Sequence, residues 1–464
     1  MRVREVGRMP AMLPADDDHP YRTGAWKPQL VEYDADDLDV IEGAIPAGLE
    51  GIYLRNTENP VLPAIGRYHP FDGDGMLHSI RFRGGRASYR NRFVRTAGLA
   101  AELAAGEPLW AGIIEPPARS KRDGWGARTR LKDASSTDVV VHGGRAITTH
   151  YQCGEAYQLD PETLAQLGPA AWTPPAGVSA HTKTDPATGE LLFFSYGLEA
   201  PYLWYGEVDA RGERTLLQPI PLPGPRLPHD MAFTEHYAIL NDFPLYWDPA
   251  RIAEGSFRPA WHPEQPSRFA VIPRGGGEVR WFEAAPTYVL HWANAYEDGD
   301  TIVLDGYFQS EPMTKNMLCI HSMGARPHRW RFDLRTGKTT EERLVDDVSE
   351  FPTTAVQGQR HRYVWSMTAP RGWFLFDGIV RHDTGGGATQ RYQFPDGVYA
   401  SESPFARRGS GEDDGWLVTF TTDVARDASE CQIFDAAHID AGPIARVALP
   451  ARISSGTHAV WAPQ

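Results

Sequence analysis

Short runs of β-forming residues, each bounded by turn residues, recur along almost the whole chain and constrain its fold more than any other feature. The runs are rich in Val, Ile, Tyr, Phe and Trp, and Gly, Pro, Asp or Asn separates them, as in GIYLRN, GELLFFSYG and GWLVTFTTD. Gly (45 residues) and Pro (38 residues) are spread along the 464 positions instead of being gathered in one linker. Helical periodicity is scarce, and its best candidate is residues 97–110, where Leu99 and Leu103 share one face.

The number of these runs predicts an all-β protein. About twenty or more short strands exceed what a single barrel holds, whereas a propeller hides its strand edges by radial repetition. No tight repeat is present, so we expect a β-propeller with degenerate blades. Since no shift in composition marks a boundary, we also expect one domain over residues 1–464, with an extended N-terminal segment at 1–30.

Charge and hydropathy exclude several classes of protein. The chain has 46 basic and 60 acidic residues, a net charge of −14, which argues against binding nucleic acid because a phosphate backbone needs a basic footprint. Its start lacks the apolar core of a secretory signal, and no window approaches the length of a membrane-spanning helix. Three cysteines without close spacing form no disulfide framework. These features predict a soluble, cytoplasmic protein.

Four of the 16 histidines stand in distinctive surroundings. They are His181 in SAHTKTDP, His229 in LPHDMAF, His291 in YVLHWANAYE and His458 in SSGTHAVWAP. Their wide spacing fits metal ligands that different blades contribute. It fits equally well the ordinary interpretation of buried or surface polar groups, so the residues alone leave metal binding open.

A set of longer segments makes the chain resemble a known family. The segments include GIYLRNTENP, YHPFDGDGMLHSIRF, AYQLDPETL, the four histidine contexts and the tail AGPIARVALPARISSGTHAVWAP. With them the chain resembles the carotenoid cleavage oxygenases, which include the lignostilbene and isoeugenol oxygenases. The resemblance implies a seven-bladed β-propeller, with a few short helices and loops over the active-site face. It also implies one Fe(II), held by His181, His229, His291 and His458.

The resemblance further implies carboxylates that hold the ligand histidines. A metal-bound histidine donates its other N–H to an outer acceptor, which fixes the tautomer and the ring orientation. Glutamates of the family fall on Glu350 and Glu402, but Gln152 stands where a third glutamate is expected. The amide oxygen of Gln152 can still accept a hydrogen bond, yet it brings no negative charge.

The implied activity is that of a metal-binding oxidoreductase. The resemblance predicts a dioxygenase of the carotenoid oxygenase type, which uses iron and O2 for alkene cleavage and gives two carbonyl products. Relatives that act on 4-hydroxyphenyl alkenes anchor the phenol with a Lys and a Tyr, and here Tyr151 and Ile113 stand at those positions. We therefore expect a small apolar substrate, either an apocarotenoid, a carotenoid or an aryl alkene. Two alternatives stay open, a stilbenoid or isoeugenol-type substrate and a non-catalytic propeller that binds an apolar ligand. Peripheral membrane contact also stays open.

Overall fold

The protein is built almost entirely of antiparallel sheets. The computed structural model describes residues 1–122, 132–248, 250–251, 258–310, 312 and 320–464, and two short α-helices have their bounds within these ranges. The strands form seven sheets of four or six strands and one two-stranded ribbon. This confirms the predicted all-β class and the seven-bladed propeller.

The chain divides into two compact units, of which the first comprises Met1–Ala180 and Tyr392–Gln464. The N-terminal part of this unit supplies strands of its first two sheets. Its elements are β1 (Arg2–Arg8), a 3-10 turn (Gly24–Trp26), β2 (Val31–Asp36), β3 (Val40–Gly43), β4 (Gly51–Glu58), a 3-10 turn (Pro70–Asp72), β5 (Gly75–Arg83), β6 (Arg86–Phe93), α1 (Ala97–Ala105), a 3-10 turn (Pro117–Arg119), β7 (Thr137–His142), β8 (Arg145–His150), β9 (Tyr157–Leu159) and β10 (Gln166–Pro169).

The second unit, His181–Arg391, contains the two-stranded ribbon and four sheets of four strands, each formed by strands in chain order, except that the last strand ends two residues beyond the unit. Its elements are β11 (Lys183–Thr184), β12 (Leu191–Tyr196), β13 (Leu203–Val208), β14 (Arg214–Pro219), β15 (Ala232–Phe233), β16 (Tyr237–Asp242), β17 (Leu245–Tyr246), β18 (Ala260–Trp261), β19 (Ser267–Pro273), β20 (Arg280–Ala284), β21 (Trp292–Asp298), β22 (Thr301–Gln309), α2 (Ile320–Met323), β23 (Ala325–Asp333), β24 (Thr339–Arg343), β25 (Glu350–Thr353), β26 (Tyr363–Thr368), β27 (Gly378–Asp383) and β28 (Gln390–Gln393).

The C-terminal part of the first unit pairs with strands near the N-terminus of the chain. It contains β29 (Val398–Ala400), β30 (Phe405–Arg407), β31 (Gly415–Asp423), β32 (Ala428–Asp435), a 3-10 turn (Ile439–Ala441), β33 (Pro443–Ala448) and β34 (Ala459–Pro463). Strand β34 pairs with β4 of the first sheet, and β3 pairs with β33 of the last sheet. Each terminal sheet therefore holds a strand from the opposite end of the chain.

A buried core joins these two terminal sheets. It includes Tyr53 and Phe420, whose ring centroids lie 4.7 Å apart in an edge-to-face arrangement, together with Phe82 and Ile433. All eight residues of β4 are buried, which explains why its sequence lacks the alternation of a half-exposed strand. Burial at this seam stabilises the exchanged strands by the hydrophobic effect.

Helix α1 confirms the single helix that the sequence predicted, but with a shorter span. Thr96 caps its start, where the hydroxyl accepts a hydrogen bond from the Leu99 N–H, 3.0 Å away. The helix ends at Ala105 because Gly106 takes the left-handed conformation, with φ +71°. Residues 106–110 were thus wrongly predicted as helix. Leu99 is buried in a small apolar cluster with Met76 and Phe93.

The N-terminal segment is partly ordered as a strand. Residues Arg2–Arg8 form β1, which pairs with β2 through a register shift at Gly7. Across the described residues, no helix is both long and apolar enough to cross a membrane. The single-domain organisation stays a prediction.

Candidate metal centre

Three of the four histidines lie where the chain enters a new sheet of the second unit. His181 precedes β11, His229 precedes β15, and His291 stands directly before β21. Each of these is the first strand of its own four-stranded sheet. The side chains therefore come from three separate sheets, and all three are buried, each 5% exposed.

The three imidazoles face one another closely. The ring centroid of His181 lies 4.7 Å from that of His229 and 4.9 Å from that of His291, and His229 and His291 are 5.2 Å apart. One ring nitrogen of each residue lies within 4.8 Å of the others. The Nε2 atoms of His181 and His229 are 3.2 Å apart, a distance at which two imidazole nitrogens need a shared proton or a shared cation.

Glu350 fixes the tautomer of His291. Its Oε2 lies 2.6 Å from His291 Nδ1 and also accepts the Phe351 backbone N–H at 2.6 Å. Glu350 is fully buried at the start of β25. Because a carboxylate accepts, Nδ1 of His291 carries the proton and Nε2 keeps its lone pair, which is the form of imidazole that binds a metal.

The backbone is strained at two of these positions. His181 has φ +66°, and Phe351, the residue after Glu350, has φ +57°. Bulky L-residues rarely adopt the left-handed region, and such conformations persist only where the surroundings enforce them. The chain thus holds the imidazole of His181 and the carboxylate of Glu350 in place against local preference.

His458 and Glu402 pair in the first unit. Glu402 Oε2 lies 3.3 Å from His458 Nδ1 and accepts the Ala459 backbone N–H at 2.8 Å. Burial lowers the pKa of His458, but the hydrogen bond and the negative charge of Glu402 outweigh it, so the pKa is raised overall. The pairing has the same pattern as that of His291 with Glu350, with a longer contact.

Gln152 is buried in the first unit, 2% exposed, in the turn that follows β8. Its side-chain oxygen is buried and has no hydrogen-bond partner within the described parts of the chain. The next residue, Cys153, has φ +61°. The sequence predicts that this oxygen accepts a hydrogen bond from a ligand histidine in place of a glutamate, and that role stays a prediction.

Tyr151 and Ile113 both contact the same 3-10 turn. The Tyr151 ring meets Phe71 edge to face, with centroids 6.3 Å apart, and the Ile113 N–H donates to Asp72 Oδ1 at 2.8 Å. Asp72 also accepts the His69 N–H, so FDGDGM is a hydrogen-bonded turn. Burial raises the pKa of Asp72 to about 6, against the effect of these backbone hydrogen bonds.

Sequence reasoning missed an ion pair between a partly exposed lysine and a buried carboxylate beside the histidines. Lys183 Nζ lies 2.7 Å from Asp230 Oδ1, and Asp230 is 1% exposed. Both residues follow a candidate ligand closely, in HTK and in HD. That adjacency was the only sequence signal, and it is common among surface residues.

The three imidazoles fit the metal that the family resemblance implies. Neutral imidazole is a good ligand for Fe(II), so His181, His229 and His291 would hold an iron ion, which would supply the redox chemistry of O2 activation. The short Nε2 contact and the tautomer set by Glu350 both match a set of nitrogen lone pairs directed at one cation.

A seven-bladed β-propeller with clustered, carboxylate-supported imidazoles defines the class of the carotenoid-cleaving oxygenases. The chain belongs to this family, since the model described as retinal pigment epithelial membrane protein matches residues 26–463. It is 30% identical to a carotenoid cleavage oxygenase of Mycobacterium tuberculosis, over 97% of this chain and 98% of that protein. It is 29% identical to the isoeugenol monooxygenase of Pseudomonas nitroreducens, over 96% of this chain and 98% of that protein. Its fold matches the lignostilbene dioxygenase of Pseudomonas brassicacearum with a TM-score of 0.85 and 26% identity, over 96% of this chain and 99% of that one.

Proposed function

We propose that the protein is an Fe(II)-dependent oxygenase that cleaves a carbon–carbon double bond of an apolar alkene with O2. The iron ligands in this proposal are His181, His229, His291 and His458. The observation that carries it is the group of three buried imidazoles with one nitrogen each within 4.8 Å of the others. Bound iron supplies the redox chemistry that O2 activation needs, while the protein supplies orientation and a dry site.

The carboxylates control the protons of the ligand set. Glu350 and Glu402 accept from Nδ1 of His291 and His458, which leaves Nε2 of each ring as the metal donor. Gln152 supplies a neutral acceptor in place of the third carboxylate. We expect this neutral partner to weaken metal retention.

Metal content and oxygen uptake test the proposal. The purified protein should contain about one iron per chain and should consume O2 with a panel of apocarotenals, stilbenes and propenylphenols. His291→Ala should lose both iron and turnover. His382→Gln is a matched control, because His382 is also a buried histidine of the second unit but contacts Ser349, outside the imidazole group. Active protein without iron would overturn the proposal, whereas a protein that holds no iron and consumes no O2 with any of these alkenes would favour the non-catalytic alternative.

For the substrate, we propose an apocarotenoid, a carotenoid or an aryl alkene without a free phenol. Tyr151 brings one neutral hydroxyl and Ile113 brings only methyl groups, so a 4-hydroxyl would find no charged partner at these positions. A buried hydroxyl that is poorly paired costs about 1–3 kcal/mol, or about one to two decades in kcat/KM.

The relative that acts on isoeugenol favours a second candidate, a phenylpropanoid substrate. The two are separated by comparing kcat/KM for isoeugenol and its O-methyl ether, and for resveratrol and its trimethoxy form. We expect the ethers to react at least as well as the phenols. A tenfold preference for the free phenols would establish the second candidate.

A further inference from the structure

The three chain segments that contain the clustered histidines meet at one buried carboxylate. Asp230, next to His229, receives a hydrogen bond from the Trp292 backbone N–H at Oδ2, 2.9 Å away. Its Oδ1 receives the Met231 N–H at 2.7 Å and the Lys183 ammonium, also at 2.7 Å. Trp292 directly follows His291, and Lys183 lies two residues after His181. One carboxylate therefore contacts a close neighbour of every histidine in the group.

These contacts link three sheets whose strands do not pair with one another in the described part of the chain. Strands β11, β15 and β21 belong to three different sheets, so the ladders alone do not fix their mutual register. The Trp292 N–H sits beside a register shift between Trp292 and Asn294, where the ladder of β21 with β22 is irregular. It donates instead to Asp230. The carboxylate thus provides a directional polar link between neighbouring sheets at the height of the imidazoles.

A side chain of the neighbouring strand β16 also binds the Asp230 backbone. The backbone carbonyl of Asp230 accepts from the Asn241 side chain on β16, 3.0 Å away. The Asp230 carboxylate is 1% exposed and is held by the Lys183 ammonium and by the backbone N–H groups of Met231 and Trp292. A buried carboxylate that loses such partners is strongly unfavourable, so the arrangement is held as a unit.

We propose that Asp230 is a positioning residue, which sets the mutual placement of His181, His229 and His291 through Lys183, its own backbone and Trp292. The inference rests on the proposed function, because it concerns the same ligand set. Asp230 does not touch the metal in this role. It acts by fixing the chain on which each ligand stands, within the few tenths of an ångström that a metal geometry tolerates.

The test is cobalt(II) binding to the metal-free full-length protein, followed by competition with a chelator and by the visible absorption of bound cobalt. Asp230→Asn keeps an acceptor for the Trp292 N–H but loses the charge that Lys183 needs, and Asp230→Ala loses both. We expect cobalt to bind about 10- to 100-fold more weakly to Asp230→Asn than to the parent, and more weakly still to Asp230→Ala. The cobalt absorption bands should shift in both variants.

The matched control is Asp305→Asn. Asp305 is also buried in the second unit, 2% exposed, and forms two 2.7 Å hydrogen bonds with Arg329. This variant should lose thermal stability but should keep the parental cobalt affinity and spectrum. If Asp230→Asn binds cobalt as tightly as Asp305→Asn, with an unshifted spectrum, the positioning role is wrong while the proposed function stands. A parent that binds no metal overturns both.

Discussion

Glu350 and Glu402 contact their histidines at different distances, and this predicts unequal effects of the same substitution. Glu350 Oε2 lies 2.6 Å from His291 Nδ1, whereas Glu402 Oε2 lies 3.3 Å from His458 Nδ1. Glutamine in either position keeps the shape and a carbonyl acceptor but removes the charge. Glu350→Gln should therefore weaken metal binding more than Glu402→Gln.

The magnitude follows from the strength of the hydrogen bond at Glu350. A hydrogen bond to a charged group contributes about 1.5–3 kcal/mol, against about 0.5–1.5 kcal/mol between neutral groups. Replacing the charged acceptor by a neutral one should therefore cost about 1–1.5 kcal/mol of binding free energy, which corresponds to about a tenfold weaker metal affinity. The contact of Glu402 with its histidine is longer and therefore weaker, so Glu402→Gln should weaken metal affinity about threefold or less. The hydrogen bond from the Ala459 N–H would remain, with a neutral acceptor.

In Glu350→Gln, the thermal stability of the metal-free protein should not fall together with the metal affinity. Glu350 is fully buried, and the hydrogen bonds described above come from the His291 imidazole and the Phe351 backbone N–H, so burial gives its charge a desolvation penalty in the metal-free protein. Replacing it by glutamine relieves that penalty. The melting temperature of metal-free Glu350→Gln should equal or exceed that of the parent, although its metal affinity falls.

The assay combines chelator competition for iron under anaerobic conditions with thermal melts of the metal-free proteins. The parent, Glu350→Gln and Glu402→Gln are compared side by side. An equal or larger loss of affinity in Glu402→Gln would refute the reasoning from distance. A lowered melting temperature of metal-free Glu350→Gln would refute the reasoning from burial.

Two further predictions concern a second acceptor and the acid stability. Gln152→Glu should restore a charged acceptor and tighten iron binding about 10- to 100-fold in the same competition assay; unchanged affinity would contradict the role of Gln152. Burial lowers the pKa of His382 to about 4 in the folded protein. Between about pH 6.5 and pH 4 this imidazole therefore stays neutral in the folded protein but binds a proton in the unfolded chain. The neutral imidazole contributes fully to stability above about pH 6.5, and this contribution is lost as the pH falls toward 4. Between pH 7 and pH 5, the free energy of unfolding measured in urea should therefore fall by about 2 kcal/mol less in His382→Gln than in the parent. Parallel stability curves for the two proteins would contradict this.

The local part of the fold could be predicted from sequence, and the long-range part could not. Runs such as GWLVTFTTD and GELLFFSYG correspond to β31 and β12 because β-branched and aromatic residues between turn residues favour strands locally. The pairing of β34 with β4 joins opposite ends of the chain, and no local pattern encodes it. The helix predicted over residues 97–110 is too long because Gly106, which lacks a Cβ, takes the left-handed conformation and ends the helix at Ala105.

The candidate site shows the same division. The histidines were recognised from their segments, and Glu350 lies against His291 as the resemblance implied. Asp230 was missed because an acidic residue beside a histidine carries no periodic signal. Its importance depends on Lys183 and Trp292, which other sheets bring to it. Contacts between sheets are set by packing, and single-sequence reasoning has no access to them.

The backbone shows why such contacts concentrate around the site. Eight non-glycine residues in the described part of the chain have positive φ, and two of them are His181 and Phe351, which directly follows Glu350. Each left-handed residue of this kind costs about 1–3 kcal/mol and survives only where its surroundings over-determine it. Buried hydrogen bonds supply that constraint, as where the Phe351 N–H binds the Glu350 carboxylate within the same turn. Sequence patterns assume that each residue takes its preferred conformation. Predictions from such patterns therefore fail first where the backbone must depart from its preferred conformation to direct side chains at one point. Dense polar contacts around the histidines are what hold those side chains in place.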